Sequence, residues 1–243
     1  MAPDLTVTLL ATATVPEVTV FAEQPAGAAS IDSLSVRSPF AAAYSPERAG
    51  SPAIPTESAA VKGRYKVPEG WAISNPTSLG APATFVVTEE AGDWVRVLLP
   101  VRPNGTEGWV NRAEVALTAT PLRIDVDLTT RTVTLLDRGT ALFSAPVIVG
   151  KSATSTPTGR CYVTDTIDKH VGSAYGSGIL ATSCFSQALD AFDGGVPVIA
   201  LHGTNRPDLL GQAASNGCIR MGEPAITRLR STVPIGTPID IHT

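Results

Sequence analysis

Glycine and proline interrupt this chain so often that few segments are long enough to form a helix. The 243 residues include 21 glycines and 20 prolines, and both residue types end or break regular elements. Threonine and valine are frequent between these breaks, and aromatic residues make up only 5% of the chain. Since β-branched residues fit the pleated surface of a sheet, the composition favours a mainly β protein built from short strands and turns.

Length and charge restrict the number of domains and the class of function. A chain of 243 residues is long enough for one large or two small domains with a proper core. The net charge of −4, with 16% charged residues, argues against nucleic-acid binding, which normally needs a basic face. No uninterrupted apolar segment has the length of a membrane-spanning helix.

The first part of the chain divides into a strand region and a linker. Thr and Val alternate on both sides of Pro16, so residues 5–21 are predicted to form strand. Asp4 precedes this segment and no Lys or Arg forms a basic start, so it does not resemble a signal peptide. Residues 22–66 are rich in Ala, Ser and Pro, which predicts a loop or linker.

Two hairpins are predicted next. Residues 83–101 form a strand, a turn at Ala91–Gly92 and a second strand, and Asn104-Gly105 is the strongest hairpin signal in the chain. The run W-V-R-V…G-W-V that contains Trp94 and Trp109 resembles bacterial SH3-like domains. This resemblance implies a small SH3-like β-barrel over residues 1–118. The two tryptophans are either core or ligand-binding surface, and core is the commoner answer in small barrels.

The second half of the chain is also β-rich. Residues 122–150 alternate well and contain turns at 129–131 and 138–140. Only two segments are helix candidates, at 188–192 and 223–233. The second begins with Glu and Pro, which suits the first turn of a helix.

The most informative local feature is a pair of short motifs in this half. His202-Gly203-Thr204 follows an apolar run that is predicted to be a buried strand, and Cys218 lies in Ser-Asn-Gly-Cys-Ile-Arg-Met. A thiolate is a strong nucleophile, and a nearby imidazole lowers the thiol pKa by taking its proton or by acting as a cation. Gly203 and Gly217 leave the backbone accessible, so that main-chain N–H groups can stabilise an oxyanion.

These motifs, H-G-T-x-x-P and then S-x-G-C-I-R-M, resemble the signature of the L,D-transpeptidases with a YkuD-type catalytic domain. The similarity extends from about Ile124 to His242 and includes "STPTGRCYVTD". The resemblance implies that residues 119–243 form a β-sandwich-like catalytic domain with one or two short helices. It also assigns Cys218 as the nucleophile, His202 as the general base and acid, and the Gly203 carbonyl as the group that orients the imidazole.

Several neighbouring residues are predicted to contact the substrate. Asn216 occupies a position where the family pattern has His, and Asn does not titrate, so His202 remains the base. Gly217 and Ser215 are candidates for oxyanion or substrate binding, although Ser215 is equally well interpreted as an ordinary loop serine. Thr204 is also predicted to bind the oxyanion or the substrate.

Arg220 has two interpretations. Its planar guanidinium suits a substrate carboxylate, or it pairs with an acidic residue such as Glu223 or Asp240, and the structural role is slightly favoured. The Gly- and Ser-rich stretch 171–178 lacks the features of a phosphate-binding loop. In the family this region carries the substrate lid, which implies a flap over the site, with Tyr175 as a substrate contact.

The expected function is formation of peptidoglycan cross-links between stem peptides through a cysteine thioester. Two alternatives are an L,D-carboxypeptidase that hydrolyses the terminal D-Ala and a wall-binding protein without catalytic activity. The resemblance implies an extracytoplasmic location, removal of an export signal before residue 1, and acylation by carbapenems. His170 and His242 show no metal spacing, so neither a metal nor another cofactor is predicted. Cys161 and Cys184 are either a disulfide or two buried free thiols.

Overall fold

The protein is described here by a computed structural model, which covers residues 7–25, 64–67, 70–192 and 195–243. Among these residues, eight strands form the first of two sheets, and the predicted linker 22–66 lies largely outside the described residues. The strands are β1 Thr8–Ala13, β2 Glu17–Phe21, β3 Arg64–Val67, β4 Gly70–Ser74, β5 Thr84–Ala91, β6 Trp94–Leu98, β7 Glu107–Asn111 and β8 Val115–Thr120. Their spatial order is β3-β4-β2-β7-β6-β5-β1-β8.

Nine strands form the second sheet. They are β9 Leu122–Asp127, β10 Thr132–Asp137, β11 Thr140–Gly150, β12 Gly159–Asp168, β13 Gly178–Phe185, β14 Val198–His202, β15 Ala213–Ser215, β16 Ile219–Met221 and β17 Pro238–His242. Their order is β10-β9-β17-β12-β13-β14-β16-β11-β15, and β10 also pairs with β11, so the sheet closes on itself. The prediction of a mainly β protein is confirmed.

Helix α1, Glu223–Thr232, is the single α-helix among the described residues, as the Glu-Pro start predicted. It buries Ala225, Ile226 and Leu229 against the core of the second sheet. No described helix has both the length and the apolar character needed to cross a membrane.

The prediction of a second helix at 188–192 is wrong. The segment consists of bends, and Phe192 forms an isolated bridge with Gly195. Its carbonyl at Leu189 accepts a hydrogen bond from the Arg102 side chain rather than from a helical N–H. Five residues are also too few to make a helix stable by their own propensity.

The strand and turn predictions in the first half are confirmed in the main. Residues 8–21 form two strands rather than one, and the turn at Ala91–Gly92 joins β5 to β6. The predicted linker extends too far, because β3 already begins at Arg64. Trp94 and Trp109 are only 4% and 8% exposed and cluster with Phe21, so they belong to the core.

The change from one sheet to the other falls at Pro121, between β8 and β9. An SH3-like identity for the first sheet and a division of the chain at residues 118 and 119 stay predictions. The two sheets are in contact, because Tyr162 of β12 packs into the core of the first sheet. Polar contacts cross the same boundary, including a hydrogen bond from Thr77 to Asp165.

Candidate active site

Two adjacent strands bring the predicted catalytic residues together. Strands β14 and β16 are parallel neighbours in which His202 is opposite Arg220, and Cys218 immediately precedes β16. His202 and Cys218 both line one pocket of about 110 Å³. The pocket is lined by Ala174, Tyr175, Ser186, Leu189, Phe192, Pro197, Val198, Ile199, His202, Asn216, Cys218 and Arg220.

His202 is held as a neutral imidazole with a defined tautomer. Its Nδ1 lies 2.6 Å from the carbonyl oxygen of Gly203. Because a carbonyl only accepts hydrogen bonds, Nδ1 carries the proton and Nε2 keeps a free lone pair. Burial lowers the pKa of His202 to about 4, and the positive charge of Arg220 acts in the same direction, against the Gly203 hydrogen bond. Nε2 is therefore able to accept a proton at neutral pH.

The thiol of Cys218 is also neutral in the resting protein. Burial raises its pKa above the ordinary value, while a backbone hydrogen bond from Ala200 and the charge of Arg220 act in the opposite direction without overcoming it. Of the two ways in which His202 was expected to activate the thiol, action as a cation does not apply at rest, because burial keeps the imidazole uncharged. The site holds a thiol and an imidazole rather than a preformed ion pair.

The turn that carries Cys218 is fixed by hydroxyl groups. Ser215 is buried, and its Oγ donates to the carbonyl of Cys218 over 2.6 Å and accepts from the N–H of Gly217 over 3.1 Å. Thr154 donates to the carbonyl of Ser215, and Thr156 donates to the carbonyl of Gly217. Neither threonine was among the residues predicted to form the site, although both lie within the region that resembles the family.

Gly217 has a φ of 117°, a value that residues with a side chain rarely adopt. Its N–H donates to Oγ of Ser215, and a role of Gly217 in oxyanion binding stays a prediction. Thr204 is buried, accepts a hydrogen bond from the N–H of Arg206 and does not line the pocket. Asn216 is exposed at the pocket.

Arg220 faces the pocket and does not pair with either acidic residue that the sequence suggested. Asp240 forms a two-point contact with Arg160, at 2.7 and 2.9 Å. The carboxylate of Glu223 accepts from the N–H of Ser177. The Nε of Arg220 is buried and has no hydrogen-bond partner among the described residues. This arrangement leaves a positive charge directed at the site, in contrast to the structural role that was favoured.

The segment 171–177 forms turns beside the pocket, in the place where a flap was predicted. The ring of Tyr175 lies 5.0 Å from that of His202. The segment is anchored to α1, because Arg230 donates to the carbonyl of Ser177 and Glu223 accepts from its N–H. A Cβ on Gly176 would lie only 2.6 Å from the Cα of Gly203, so glycine is needed for this close approach.

The three cysteines have different roles. Cys161 and Cys184 form a disulfide that joins β12 to β13, with their Cα atoms 5.6 Å apart. Of the two alternatives left open by the sequence, the structure contains the disulfide, and Cys218 is the free thiol. His170 is exposed, and His242 pairs with Asp125 at 3.1 Å. Among the residues that the structure describes, no group of three or more His, Cys, Asp or Glu is placed to hold a metal.

Fold and site together define a class of protein, a closed β domain that presents one free thiol and one neutral imidazole to a common pocket. Residues 121–241 match the family model YkuD, the L,D-transpeptidase catalytic domain. This half of the chain belongs to that family, as the motifs indicated.

Comparison with known proteins gives relatives of the same family. The chain is 33% identical over 122 residues to "Putative L,D-transpeptidase YkuD" of Bacillus subtilis, and 34% identical over 121 residues to the protein of the same name from Bacillus licheniformis. Each match covers 50% of this chain and 66% of the relative, so the chain spans just under two thirds of their length.

Solved structures give weaker similarities. L,D-transpeptidase 3 from Mycobacterium tuberculosis in complex with a faropenem-derived adduct has a TM-score of 0.46 and 12% identity, covering 75% of this chain and 78% of that one. The catalytic domain of E. faecium L,D-transpeptidase has a TM-score of 0.36 and 19% identity, covering 50% of this chain and 96% of that one.

Proposed function

We propose that the protein is a peptidoglycan L,D-transpeptidase that forms cross-links between stem peptides through a thioester on Cys218. The observation that carries this proposal is the placement of His202 and Cys218 in one pocket, with Nε2 of the imidazole free to accept a proton. Family membership supplies the reaction class and the substrate class. The terminal D-Ala of a tetrapeptide stem is the leaving group.

Because the thiol of Cys218 and the imidazole of His202 are both neutral at rest, the thiol proton is transferred as the sulfur attacks. As Sγ of Cys218 attacks the carbonyl carbon of the L-centre, Nε2 of His202 accepts the thiol proton. The C–N bond to D-Ala then breaks, and the imidazolium returns this proton to the leaving amine. An imidazolium whose pKa is near 4 in this environment is a strong acid, so the transfer to the amine is favourable.

The second half of the reaction regenerates the enzyme. The amine of a neighbouring stem attacks the thioester, and a new amide bond forms as the C–S bond breaks. His202 removes the proton from the attacking amine and passes it to the departing sulfur of Cys218. The backbone N–H of Ala200 and the charge of Arg220 stabilise negative charge on that sulfur.

Arg220 and Tyr175 are proposed to hold the donor. A stem peptide carries carboxylates, and the unpartnered Nε of Arg220 supplies a donor at the site. The ring of Tyr175 lies against His202, and 40% of its surface is exposed. Tyr175 therefore forms the outer side of the pocket, where it shields the acyl bond from water.

A disaccharide-tetrapeptide is the substrate that tests the reaction. Wild-type protein is expected to give a cross-linked dimer that has lost one D-Ala, detected by mass spectrometry. A monomer that has lost D-Ala would instead identify a carboxypeptidase, and unchanged substrate would leave only a wall-binding role. Cys218→Ala should show no turnover while it keeps its fold, because the loss of one sulfur atom removes little packing.

Carbapenems provide an independent test of the nucleophile. A thiol that attacks amide carbonyls should also open a strained lactam, so we expect one covalent adduct per wild-type molecule. The Cys218→Ala protein should gain no mass, because Cys161 and Cys184 are joined in the disulfide. An adduct on the variant would refute the assignment of Cys218.

An extracytoplasmic location is part of the proposal. The disulfide between Cys161 and Cys184 supports it, since such bonds persist in oxidising compartments and are rare in the cytosol. The expected site of action is the cell wall or the periplasm, where the stem peptides are found. Fractionation of cells that produce the protein, with immunodetection, tests this location.

A further inference from the structure

One wall of the active-site pocket is held by side chains of the other sheet. The segment 186–192 contributes Ser186, Leu189 and Phe192 to the pocket that contains Cys218. It has no regular secondary structure and consists of bends. Its backbone carbonyls are therefore available to groups from elsewhere in the chain.

Arg102 binds two of these carbonyls. It lies in the connection between β6 and β7, and its Nη2 donates to the carbonyl of Ser186 over 3.0 Å and to the carbonyl of Leu189 over 2.8 Å. The guanidinium carbon also lies 5.8 Å from the centre of the Phe185 ring. Hydrogen bonds from a charged donor are about twice as strong as neutral ones, so this contact fixes the backbone at both ends of a four-residue stretch.

Asn104 holds the residue from which this wall begins. Its Nδ2 donates to the carbonyl of Phe185 over 2.8 Å, and its Oδ1 accepts from the N–H of the same residue over 2.9 Å. The side-chain amide therefore pairs with Phe185 as a neighbouring strand would.

The connection that carries Arg102 and Asn104 is itself well fixed. The N–H of Leu99 donates to the carbonyl of Thr106, and the N–H and hydroxyl of Thr106 both donate to the carbonyl of Pro103. Val101 is 4% exposed and is part of the core of the first sheet. A loop of the first sheet thus binds a pocket wall of the second sheet, in addition to the bond from the N–H of Ser186 to the carbonyl of Pro197 and the bonds from the N–H groups of Ala188 and Leu189 to Oγ of Ser186.

We propose that Arg102 and Asn104 are positioning residues that set the shape of the substrate pocket by holding the wall 186–192. They touch neither Cys218 nor His202 through any described contact, so they act on substrate fit rather than on the reactivity of the thiol. The kinetic part of this inference rests on the proposed function. A displacement of about 1 Å at such a wall is enough to change rates by tenfold or more.

The test compares two reagents on Arg102→Ala. A carbapenem must fit the pocket, and its second-order rate of acylation of Cys218 should fall about tenfold. Iodoacetamide is small and reports the thiol and its base, so its rate and pH profile at Cys218 should stay within about twofold of wild type. Arg102→Lys should recover part of the loss, because one ammonium is able to donate to both carbonyls.

Arg112→Ala is the matched control. Arg112 is exposed in the turn between β7 and β8 and pairs with Glu90, so its removal changes the charge equally and leaves the wall intact. Both reagents should react with this variant at wild-type rates.

Hydrogen exchange tests the inference without any reaction. In Arg102→Ala the amides of Ser186 and Leu189 should exchange faster, and in the control they should not. If the wild-type protein reacts with neither donor nor carbapenem, the proposed function fails, and the exchange result still decides whether Arg102 holds the wall.

Two results would overturn the positioning role. One is unchanged exchange and acylation in Arg102→Ala. The other is an equal loss with both reagents, which would show a general disturbance of the site. If Arg102→Ala does not fold, Arg102→Lys and Asn104→Asp carry the same comparison. In the latter, the carboxylate still accepts from the N–H of Phe185 and no longer donates to its carbonyl.

Discussion

Replacing His202 with Gln should make the stability of the fold less sensitive to acid. The side chain is 3% exposed, and burial lowers its pKa from 6.5 to about 4. In the unfolded chain the imidazole binds a proton near pH 6.5, whereas the folded protein binds it only near pH 4. The unfolded state is therefore favoured as the pH falls through this window, and above pH 6.5 the effect disappears.

The difference between the two pKa values sets the size of the effect. At about 1.4 kcal/mol per pH unit, it amounts to roughly 3 kcal/mol once the pH has reached the folded pKa of about 4. Between about pH 7.5 and pH 4.5, urea unfolding should show that the wild type loses roughly 2 to 3 kcal/mol of stability relative to His202→Gln. Gln does not titrate, and its amide is able to donate to the carbonyl of Gly203. The contributions of other groups cancel in the difference.

His242→Gln is the control with the opposite sign. Asp125 raises the pKa of His242, so its contribution to stability is present at acid pH and is lost as the pH rises through the folded pKa. This variant should therefore lose stability mainly below pH 6.5. Parallel stability curves for wild type and His202→Gln would refute the argument that His202 is buried in its neutral form.

Three further changes follow from the site and its supports. Gly217→Ala forces a side chain into a φ of 117°, which should destabilise the protein by about 1–3 kcal/mol and slow acylation, measured by urea unfolding and intact mass. Thiol titration of the unfolded, unreduced protein should find only the Cys218 thiol, and exchange of both Cys161 and Cys184 for Ser should cost roughly 3 kcal/mol in urea unfolding. Glu223→Ala removes the acceptor for the N–H of Ser177, so hydrogen exchange at that amide should rise about tenfold.

Local patterns were enough to predict much of the fold. The Glu-Pro start of α1, the turn at Ala91–Gly92 and the alternation after Leu122 all produced the elements expected of them. These signals succeed because capping, turn geometry and strand alternation depend on residues close together in the chain. The failed helix at 188–192 shows their limit, since its carbonyl at Leu189 is bound by a residue 87 positions away.

For the candidate site, too, local motifs predicted some features and the tertiary structure decided the others. The motifs around His202 and Cys218 were enough to predict which side chains supply the imidazole and the thiol, because each motif places its residue next to a strand terminus and beside a glycine. Only the tertiary structure decided that both groups are neutral at rest, since desolvation comes from the packing of distant strands. It likewise decided that Arg220 faces the pocket and that Arg102 holds its wall, because these contacts join segments that no local pattern relates.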